Sequence, residues 1–345
     1  MRSPILFLLA AAGLPAEPSW YKGNTHAHTK LCGHADSSPA AVAQWYHDHG
    51  YHFAVLSEHN RFIDPATVKL EGEVRDDFLL VPGEEVTGRK TIHTTALNID
   101  RLVPWHFDHK ERSGIIQQHV NATRAAGGTT ILNHPNFRWA VKAEDLLPVK
   151  NLHLFELYNG HPAVHNFGDA HHPSTEQQWD AMLTGGMRVY GVASDDAHQF
   201  ATWGNRHSNP GRGWVMVRAD SLCADTLTEA MLAGEFYASS GVILKTVVRG
   251  TGTIEVEVDT DATDAELASP ILLGTSVKAG RPGYEIAFIG PEGKVLHTES
   301  ATRASFKAPE GAAYIRCKVT LRKHRKDGTV GAYFAWTQPV FTDDR

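Results

Sequence analysis

The sequence has few cysteines and no pair of them spaced as CxxC. Its three cysteines, Cys32, Cys223 and Cys317, cannot form a disulfide framework and lack the spacing of a zinc knuckle. Stability must therefore come from side-chain packing, and 345 residues with 42% hydrophobic content are enough for a large α/β domain plus a smaller one.

The chain also has no excess of basic residues, since its formal net charge is -6 at pH 7. The chain offers no basic footprint for a phosphate backbone, so we do not expect polymeric DNA or RNA as a partner. A small-molecule substrate fits the composition better. The sequence contains no internal repeat or low-complexity run, and it leaves the oligomeric state open.

Long apolar runs are absent, and the one short run at the N-terminus has a specific pattern. Residues 5–12 are apolar, follow a basic residue and precede small residues and prolines. The run is too short to span a bilayer, so we expect residues 1–16 to be a secretory signal peptide, with cleavage after Ala12 or Ala16. The alternative is a buried first helix. We expect a secreted or periplasmic protein with no membrane segment after cleavage.

From residue 20 to about residue 233, strand-like apolar runs alternate with helical segments. Ser38 followed by Pro39 predicts the start of a helix, Gly127 and Gly128 predict the end of another, and a third is predicted from about Ser174 to Leu183. Such alternation predicts parallel βα units, whose functional residues lie at the carboxyl ends of the strands. We expect residues 17–241 to form a (β/α) barrel somewhat short of eight units.

The pattern changes at about residue 242. Alternating polar and apolar stretches at 253–258, 284–288 and 314–321 are separated by Gly and Pro turns. We expect residues 242–345 to form a small β-sandwich-like domain.

Histidine is abundant, with 21 in the chain, and many of them stand in short motifs just after strand-like runs. His26 and His28 are two apart on a strand and therefore point to the same face, and Asp196 and His198 repeat this spacing. Imidazole and carboxylate together suit Zn, Fe or Mn, and many such groups at one face can hold more than one ion. The predicted ligands are His26, His28, His34, His59, Glu85, His93, His134, Asp196 and His198.

Other polar residues of these motifs have predicted supporting roles. Glu84 and Glu85 are adjacent, so only one faces the site from an extended strand; we choose Glu85 and expect Glu84 at the surface or beside the ligands. Glu156 either orients a ligand histidine or binds metal directly, and Asp36 and Glu58 are also predicted to support the ligands.

Candidate substrate contacts lie next to the same motifs. Arg138 and Arg206 could clamp an anion, because guanidinium pairs with phosphate oxygens through two hydrogen bonds, or could be ordinary surface residues. Asn159 is a predicted substrate contact. His161 is a candidate for protonating the leaving group, with a coordinated water or a plain loop position as the alternatives.

The ordered motifs resemble those of the polymerase and histidinol phosphatase (PHP) superfamily over about residues 20 to 240. The resemblance implies a distorted seven-stranded (β/α) barrel in which the predicted ligands hold two or three divalent ions, Zn, Mn or Fe. The signal-like run and the β-rich tail resemble the secreted branch that includes carbaryl hydrolases. One departure is Ser57-Glu58-His59, where most members have Thr-Asp-His. The motifs are His26-Ala-His28-Thr29, Cys32-Gly33-His34-Ala35, Ser57-Glu58-His59-Asn60, Pro82-Gly83-Glu84-Glu85, Asn133-His134-Pro135, Glu156-Leu-Tyr-Asn159 and Asp196-Ala-His198.

The predicted function is a metal-dependent hydrolase in which a hydroxide bridging the ions attacks the substrate, with Glu85 and Asp196 as the essential carboxylates. The preferred reaction is hydrolysis of small phosphate mono- or diesters. An aryl ester or carbamate hydrolase is the alternative, and a pocket drawing on Trp139, Trp203 or Phe200 would favour it. The second alternative is an inactive binding protein.

Overall fold

The computed structural model describes residues 18–72, 77–269, 275–277, 281–324 and 329–342. The expected signal peptide, residues 1–16, lies outside the described residues. Among the helices of the described ranges, none combines the length and the apolar character that crossing a bilayer requires.

The described part of the chain contains six α-helices and nineteen strands. The helices are α1 (Pro39–Asp48), α2 (Arg112–Ala125), α3 (Ala143–Leu146), α4 (Thr175–Thr184), α5 (Ala224–Leu232) and α6 (Thr260–Ala268). The strands are β1 (Ser19–Ala27), β2 (Phe53–Leu56), β3 (Leu79–Leu80), β4 (Gly83–Thr87), β5 (His93–Leu97), β6 (Thr129–Leu132), β7 (Leu154–Asn159), β8 (Tyr190–Ser194), β9 (Trp214–Ala219), β10 (Phe236–Ser239), β11 (Leu244–Gly250), β12 (Thr253–Val258), β13 (Thr275–Val277), β14 (Gly283–Ile289), β15 (Val295–Glu299), β16 (Arg303–Lys307), β17 (Tyr314–His324), β18 (Val330–Thr337) and β19 (Val340–Phe341).

Local capping residues determine where the helices begin. The Ser38 hydroxyl accepts a hydrogen bond from the backbone N–H of Ala41, and Pro39 occupies the first position of α1. Ser174 and Gln177 form a reciprocal capping box at the start of α4. Both predicted helix starts are confirmed.

The strands before residue 242 form two sheet regions rather than one continuous ladder. One follows the order β10-β9-β1-β2-β3, and the other the order β4-β5-β6-β7-β8. Isolated bridges connect the ends of β1 and β2 to the second sheet, Ala27 to Ala197 and His59 to Glu85. These bridges lie at predicted ligands or beside them, so the site lies where the two sheets meet.

The expectation of parallel strands is wrong in part of each sheet: in the first sheet, β9 runs antiparallel to both β1 and β10, and the second sheet departs from it at β5. β6, β7 and β8 are parallel, but β5 runs antiparallel to both β4 and β6. The connection between β4 and β5 is too short for the crossover that parallel strands need. As a consequence, His93 reaches the site from the first residue of β5 instead of from a carboxyl end.

The C-terminal strands continue the first sheet, because β18 pairs with β10 and then with β17. The separate sheet β11-β12-β16 packs against this continuation through alternating apolar residues such as Ile254 and Val256, which share a buried cluster with Phe288 and Val319. β12 confirms the strand predicted at 253–258, and β14 and β17 contain the other two. Helix α6 was not predicted, since Thr263 is its one fully buried residue.

A buried ion pair connects α4 to β17. Arg316 is 1% exposed, and its Nε and Nη2 donate to the two carboxylate oxygens of Asp180 at 2.8 and 2.7 Å. The hydroxyl of Tyr314 donates to the same carboxylate at 3.0 Å. Burial opposes the charge of Arg316, but Asp180 keeps its pKa above the usual value. The paired carboxylate therefore stabilises the contact between the two parts of the chain.

We predict that Asp180→Ala lowers the free energy of unfolding by about 3–5 kcal/mol, because it removes the closer of the two carboxylates that pair with the buried guanidinium and leaves only Glu176, at 3.4 Å. Denaturant titration measures the loss. Asp264→Ala is the control, since it removes the partner of Lys323 in an exposed pair and should change stability little. Equal losses in the two variants would contradict this interpretation.

Candidate metal centre

Glu85 is fully buried in the middle of β4, and imidazole rings surround it. Burial alone would raise its pKa, but the neighbouring histidines, above all His93 and His26, hold the pKa well below the usual value. The side chain is therefore a carboxylate. Its oxygens face ring nitrogens of His26 (3.4 Å), His28 (3.7 Å), His59 (2.6 Å), His93 (3.2 Å) and His134 (3.2 Å).

A second buried carboxylate comes from Asp196, just after β8. Its Oδ1 lies 3.3 Å from Nε2 of His28 and 3.4 Å from Nε2 of His26. Burial opposes the charge here too, but His26 and His28 hold the pKa of Asp196 well below the usual value. Asp196 and His134 both have positive φ, 49° and 26°, which is uncommon without glycine and directs the chain at two strand ends.

The nitrogens of His26 and His28 are arranged so that a cation fits between them. Nδ1 of His26 lies 2.7 Å from Glu156 Oε1, and Nδ1 of His28 lies 3.4 Å from Glu58 Oε1. The two Nε2 atoms are 3.1 Å apart. Burial opposes positive charge on these rings, but the surrounding carboxylates raise the pKa of both, that of His28 to about 9, so the site favours positive charge here. Nitrogens bound to one ion at about 2.0–2.1 Å lie roughly 3 Å apart, so a shared metal ion fits this arrangement.

A further group of possible metal ligands lies beside His26 and His28. Nε2 of His34 and Nε2 of His198 are 3.1 Å apart, and His34 stands at the exposed rim of the site. Burial and the neighbouring His28 lower the pKa of His198 to about 2, so its ring is neutral and can offer a lone pair. Cys32 Sγ lies close enough to His34 and His198 to join them around an ion.

The donor groups overlap, and this determines how ions would be arranged. Three of the groups whose ligand atoms all lie within 4.8 Å of one another share members. Ions bound in neighbouring groups would therefore share ligands. The groups are His26 with Glu85 and His134, His26 with His28 and Asp196, and His28 with His59 and His198.

Glu156 lies behind the ligands and orients them. Its oxygens accept hydrogen bonds from the His134 backbone N–H at 2.6 Å, the Ser194 hydroxyl at 2.5 Å and the Asn159 amide at 2.8 Å, in addition to the contact with His26. Burial would raise its pKa, but His26 lowers it below the usual value. With these lone pairs already used, the geometry favours the orienting role over direct metal binding.

Glu58 and Asp36 occupy different positions. Glu58 faces the His28 ring and accepts a hydrogen bond from the backbone N–H of Thr29 at 3.1 Å, which fits a role in orienting His28. Asp36 accepts backbone N–H groups of Phe200 and Ala201 at 2.9 and 3.1 Å. It therefore holds the loop that follows His198.

The expectation that Glu84 lies at the surface or beside the ligands is wrong. It is fully buried on the opposite face of β4, near the apolar cluster of Val86 and Val103. Its Oε1 accepts the backbone N–H of Val103 at 2.8 Å, and burial raises its pKa to about 7. Adjacent residues of one strand thus serve a metal site and an apolar core.

The predicted anion clamps are exposed. Arg138 lies over the ring of Phe137 at 5.3 Å, and that ring is 5.4 Å from the His134 ring. Arg138 has a φ of 53°, which sets the turn after His134. Arg206 is exposed in the loop after His198. Their binding of a substrate anion stays a prediction.

Asn159 and His161 lie on the loop side of the site. The Asn159 amide donates to Glu156 and to Asp196 at 2.8 and 3.3 Å, and its oxygen accepts the backbone N–H of His161. This position orients carboxylates rather than substrate. Nδ1 of His161 accepts the N–H of Ala163 at 3.1 Å, so its proton is on Nε2. The ring lies 5.9 Å from that of His198, within reach of a molecule bound at the metals.

Two residues of the site were missed in the sequence. Asn133 donates to Oε1 of Glu85 at 2.9 Å, and its oxygen accepts the N–H of Thr95 at 3.0 Å, so it fixes the carboxylate. The Thr87 hydroxyl lies 2.7 Å from Nδ1 of His59. Asn133 stands in the Asn-His-Pro motif, which gave a signal, whereas Thr87 stands in none.

Comparison with known proteins gives a distant structural likeness. No family model matches the chain, and no curated protein matches it. Among solved structures, it is similar to a two-domain protein from Bacteroides vulgatus ATCC 8482 that contains a predicted PHP-like metal-dependent phosphoesterase. The identity is 14%, the alignment covers 88% of this chain and 91% of that chain, and the TM-score is 0.46. The functional assignment therefore rests on the residues of the site.

We predict that Glu85→Ala loses most of the bound metal, because it removes the carboxylate that faces five imidazoles. Elemental analysis of purified protein measures the metal content. Glu84→Gln is the matched control, since the adjacent side chain points into the apolar cluster, and it should keep the metal. Loss of metal from both variants, or from neither, would count against this site.

We predict that Glu156→Gln weakens metal binding by about 10–100-fold, because an amide nitrogen would then meet donors that the carboxylate accepts. Competition with a chromogenic chelator measures the affinity. The exposed Glu144→Gln is the control. An unchanged affinity in Glu156→Gln would show that the ligands do not need this support.

Proposed function

We propose that the protein is a metal-dependent phosphoesterase acting on small phosphate mono- or diesters. The observation that carries the proposal is the concentration of two buried carboxylates, Glu85 and Asp196, and of imidazole nitrogens that face them. Such a donor set suits Zn, Mn or Fe, and its overlapping groups suit two or three ions. Divalent ions held there supply positive charge to a phosphoryl group and acidify a coordinated water.

The chain's own residues then have distinct roles. Glu85 and Asp196 balance the positive charge and keep it close to the histidines. The His161 ring lies 5.9 Å from that of His198, and its Nε2–H can donate a hydrogen bond to the leaving oxygen, while the proton itself would come from a coordinated water. We propose that the exposed Arg138, which lies over the Phe137 ring near His134, contacts an anionic group of the substrate.

The wider proposal follows the resemblance to PHP proteins. Strands β1, β2 and β4 to β8, with the bridges at Ala27 and His59, are proposed to be the seven strands of a distorted barrel. Export to the periplasm or the medium, as in the secreted branch, is proposed from the N-terminal run. The proposed substrate is a small molecule.

Hydrolysis of an aryl ester or carbamate is the second candidate. Of the aromatic residues expected to favour it, Trp139 stacks on His165 and His172 with centroids 4.7 and 4.1 Å apart, and Trp203 packs near Trp45 at 6.2 Å. This candidate is favoured by a different feature, a cavity beside His59 whose lining includes aromatic rings. An aromatic wall suits the organic part of either substrate class.

We predict that metal-loaded protein hydrolyses a phosphomonoester or a phosphodiester, that chelation abolishes this activity, and that added Zn, Mn or Fe restores it. The panel contains a phosphomonoester, a phosphodiester, an aryl ester and an aryl carbamate, with product release measured for each. Glu85→Ala should be inactive on all four. Turnover of the carbonyl substrates alone would contradict the phosphoesterase proposal, and no turnover by metal-loaded protein would favour a binding protein.

A further inference from the structure

A cavity of about 590 Å³ adjoins the metal centre on the side of His59. This volume lies in the range of about 300–1,000 Å³ that small-molecule sites occupy. One wall comes from strand ends of the site and the other from the segment between β5 and α2. The lining residues are Asn60, Thr87, Gly88, Arg89, Trp105, His106, Phe107 and Asp108.

The inner wall is continuous with the metal ligands. Asn60 follows His59 directly, and the Thr87 hydroxyl lies 2.7 Å from Nδ1 of His59. The side-chain oxygen of Asn60 accepts the N–H of Thr87 at 2.7 Å, and its amide donates to the Thr87 carbonyl at 3.1 Å. These groups satisfy one another, so this wall offers little polar specificity of its own. The cavity therefore begins at residues that are in direct contact with or adjacent to His59.

The outer wall is a strap, residues 100–111, that carries two aromatic rings. Trp105 and Phe107 are half-buried and pack against the apolar cluster that contains Val86 and Val103. Both residues also line the cavity. Aromatic rings of this kind favour a flat apolar group through stacking or edge contacts.

Two anchors hold the strap in place. Near its start, the N–H of Val103 donates a hydrogen bond to the buried Glu84. This contact gives a structural role to Glu84, which does not face the metal centre. Near its end, the Lys90 ammonium donates to the backbone carbonyls of His109 and Lys110, and Arg89 pairs with Asp108 at 2.5 Å.

The backbone beside these anchors is strained. Lys90 and Thr91 have φ values of 60° and 59°, a cost that two consecutive residues other than glycine rarely bear. The conformation places Lys90 where it can reach the strap. These contacts, together with the packing of Trp105 and Phe107, hold the strap against the rest of the chain.

We propose that this cavity binds the aromatic leaving group of the substrate, so that the protein prefers aryl phosphomonoesters to alkyl ones. This inference rests on the proposed phosphoesterase function. In the reaction, the water oxygen forms a bond to phosphorus and the bond from phosphorus to the aryl oxygen breaks. The electron pair of that bond stays on the aryl oxygen, and one proton of the water ends on it, giving a phenol and inorganic phosphate.

The test compares wild-type protein with Trp105→Ala, Trp105→Phe and Leu102→Ala, all metal-loaded. Leu102 belongs to the same strap but is 43% exposed and does not line the cavity, so it is the matched control. Rates are measured for phenyl phosphate and for methyl phosphate. Binding of phenylphosphonate and methylphosphonate, which are not hydrolysed, is measured by calorimetry.

We predict that Trp105→Ala lowers kcat/KM for phenyl phosphate about tenfold and weakens phenylphosphonate binding by a similar factor, as expected for loss of an aromatic contact. Values for the methyl compounds should stay within about twofold, Trp105→Phe should recover most of the loss, and Leu102→Ala should match wild type. Equal losses on the phenyl and methyl compounds, or no loss on either, would overturn the proposal.

Failure of this inference can be told apart from failure of the proposed function. If the wild-type protein hydrolyses neither phosphate ester, the phosphoesterase proposal fails, and the phosphonate binding data still decide on the cavity. A phenyl preference in binding that disappears in Trp105→Ala then supports an aromatic pocket. Equal affinity of the wild-type protein for the two phosphonates would overturn it.

Discussion

The carboxylate of Glu85, buried among imidazole rings, is the constraint on which the rest of the site depends. A charge in such a position is costly unless opposite charge or hydrogen bonds accompany it. Asn133 supplies one hydrogen bond, and ring nitrogens of five histidines face the carboxylate. Cations held among these groups would bind the carboxylate and the ring nitrogens together, which makes metal binding the simplest reason for the arrangement.

The fold serves this constraint by joining two sheets at the site. The bridge from His59 to Glu85 and the bridge from Ala27 to Ala197 connect the two sheets next to the ligands. Behind the ligands, Glu156 orients His26 and the backbone at His134. On the far face of β4, Glu84 anchors the strap beside the cavity. The same strand thus supports metal binding and shapes the space next to it.

Much of the ligand set could be predicted from the sequence, because the spacing of His26 and His28 and the positions of His134 and Asp196 after apolar runs place them at strand ends. The direction of β5 could not be predicted, because hydrophobic patterns do not distinguish antiparallel from parallel pairing. Since β5 is antiparallel, His93 enters the site from the start of its strand. The burial of Glu84 depends on packing against residues distant in sequence. The walls of the cavity depend on anchors such as Lys90, whose backbone conformation has no sequence signature.

The most direct test of a shared metal centre is a crystal structure of metal-loaded protein with anomalous scattering recorded at the metal edge. The account predicts at least two anomalous peaks, each about 2.0–2.2 Å from ligand atoms, with His26, His28, Glu85 and Asp196 among the coordinating residues. Peaks only at surface histidines, or an empty site in protein that contains stoichiometric metal, would contradict it.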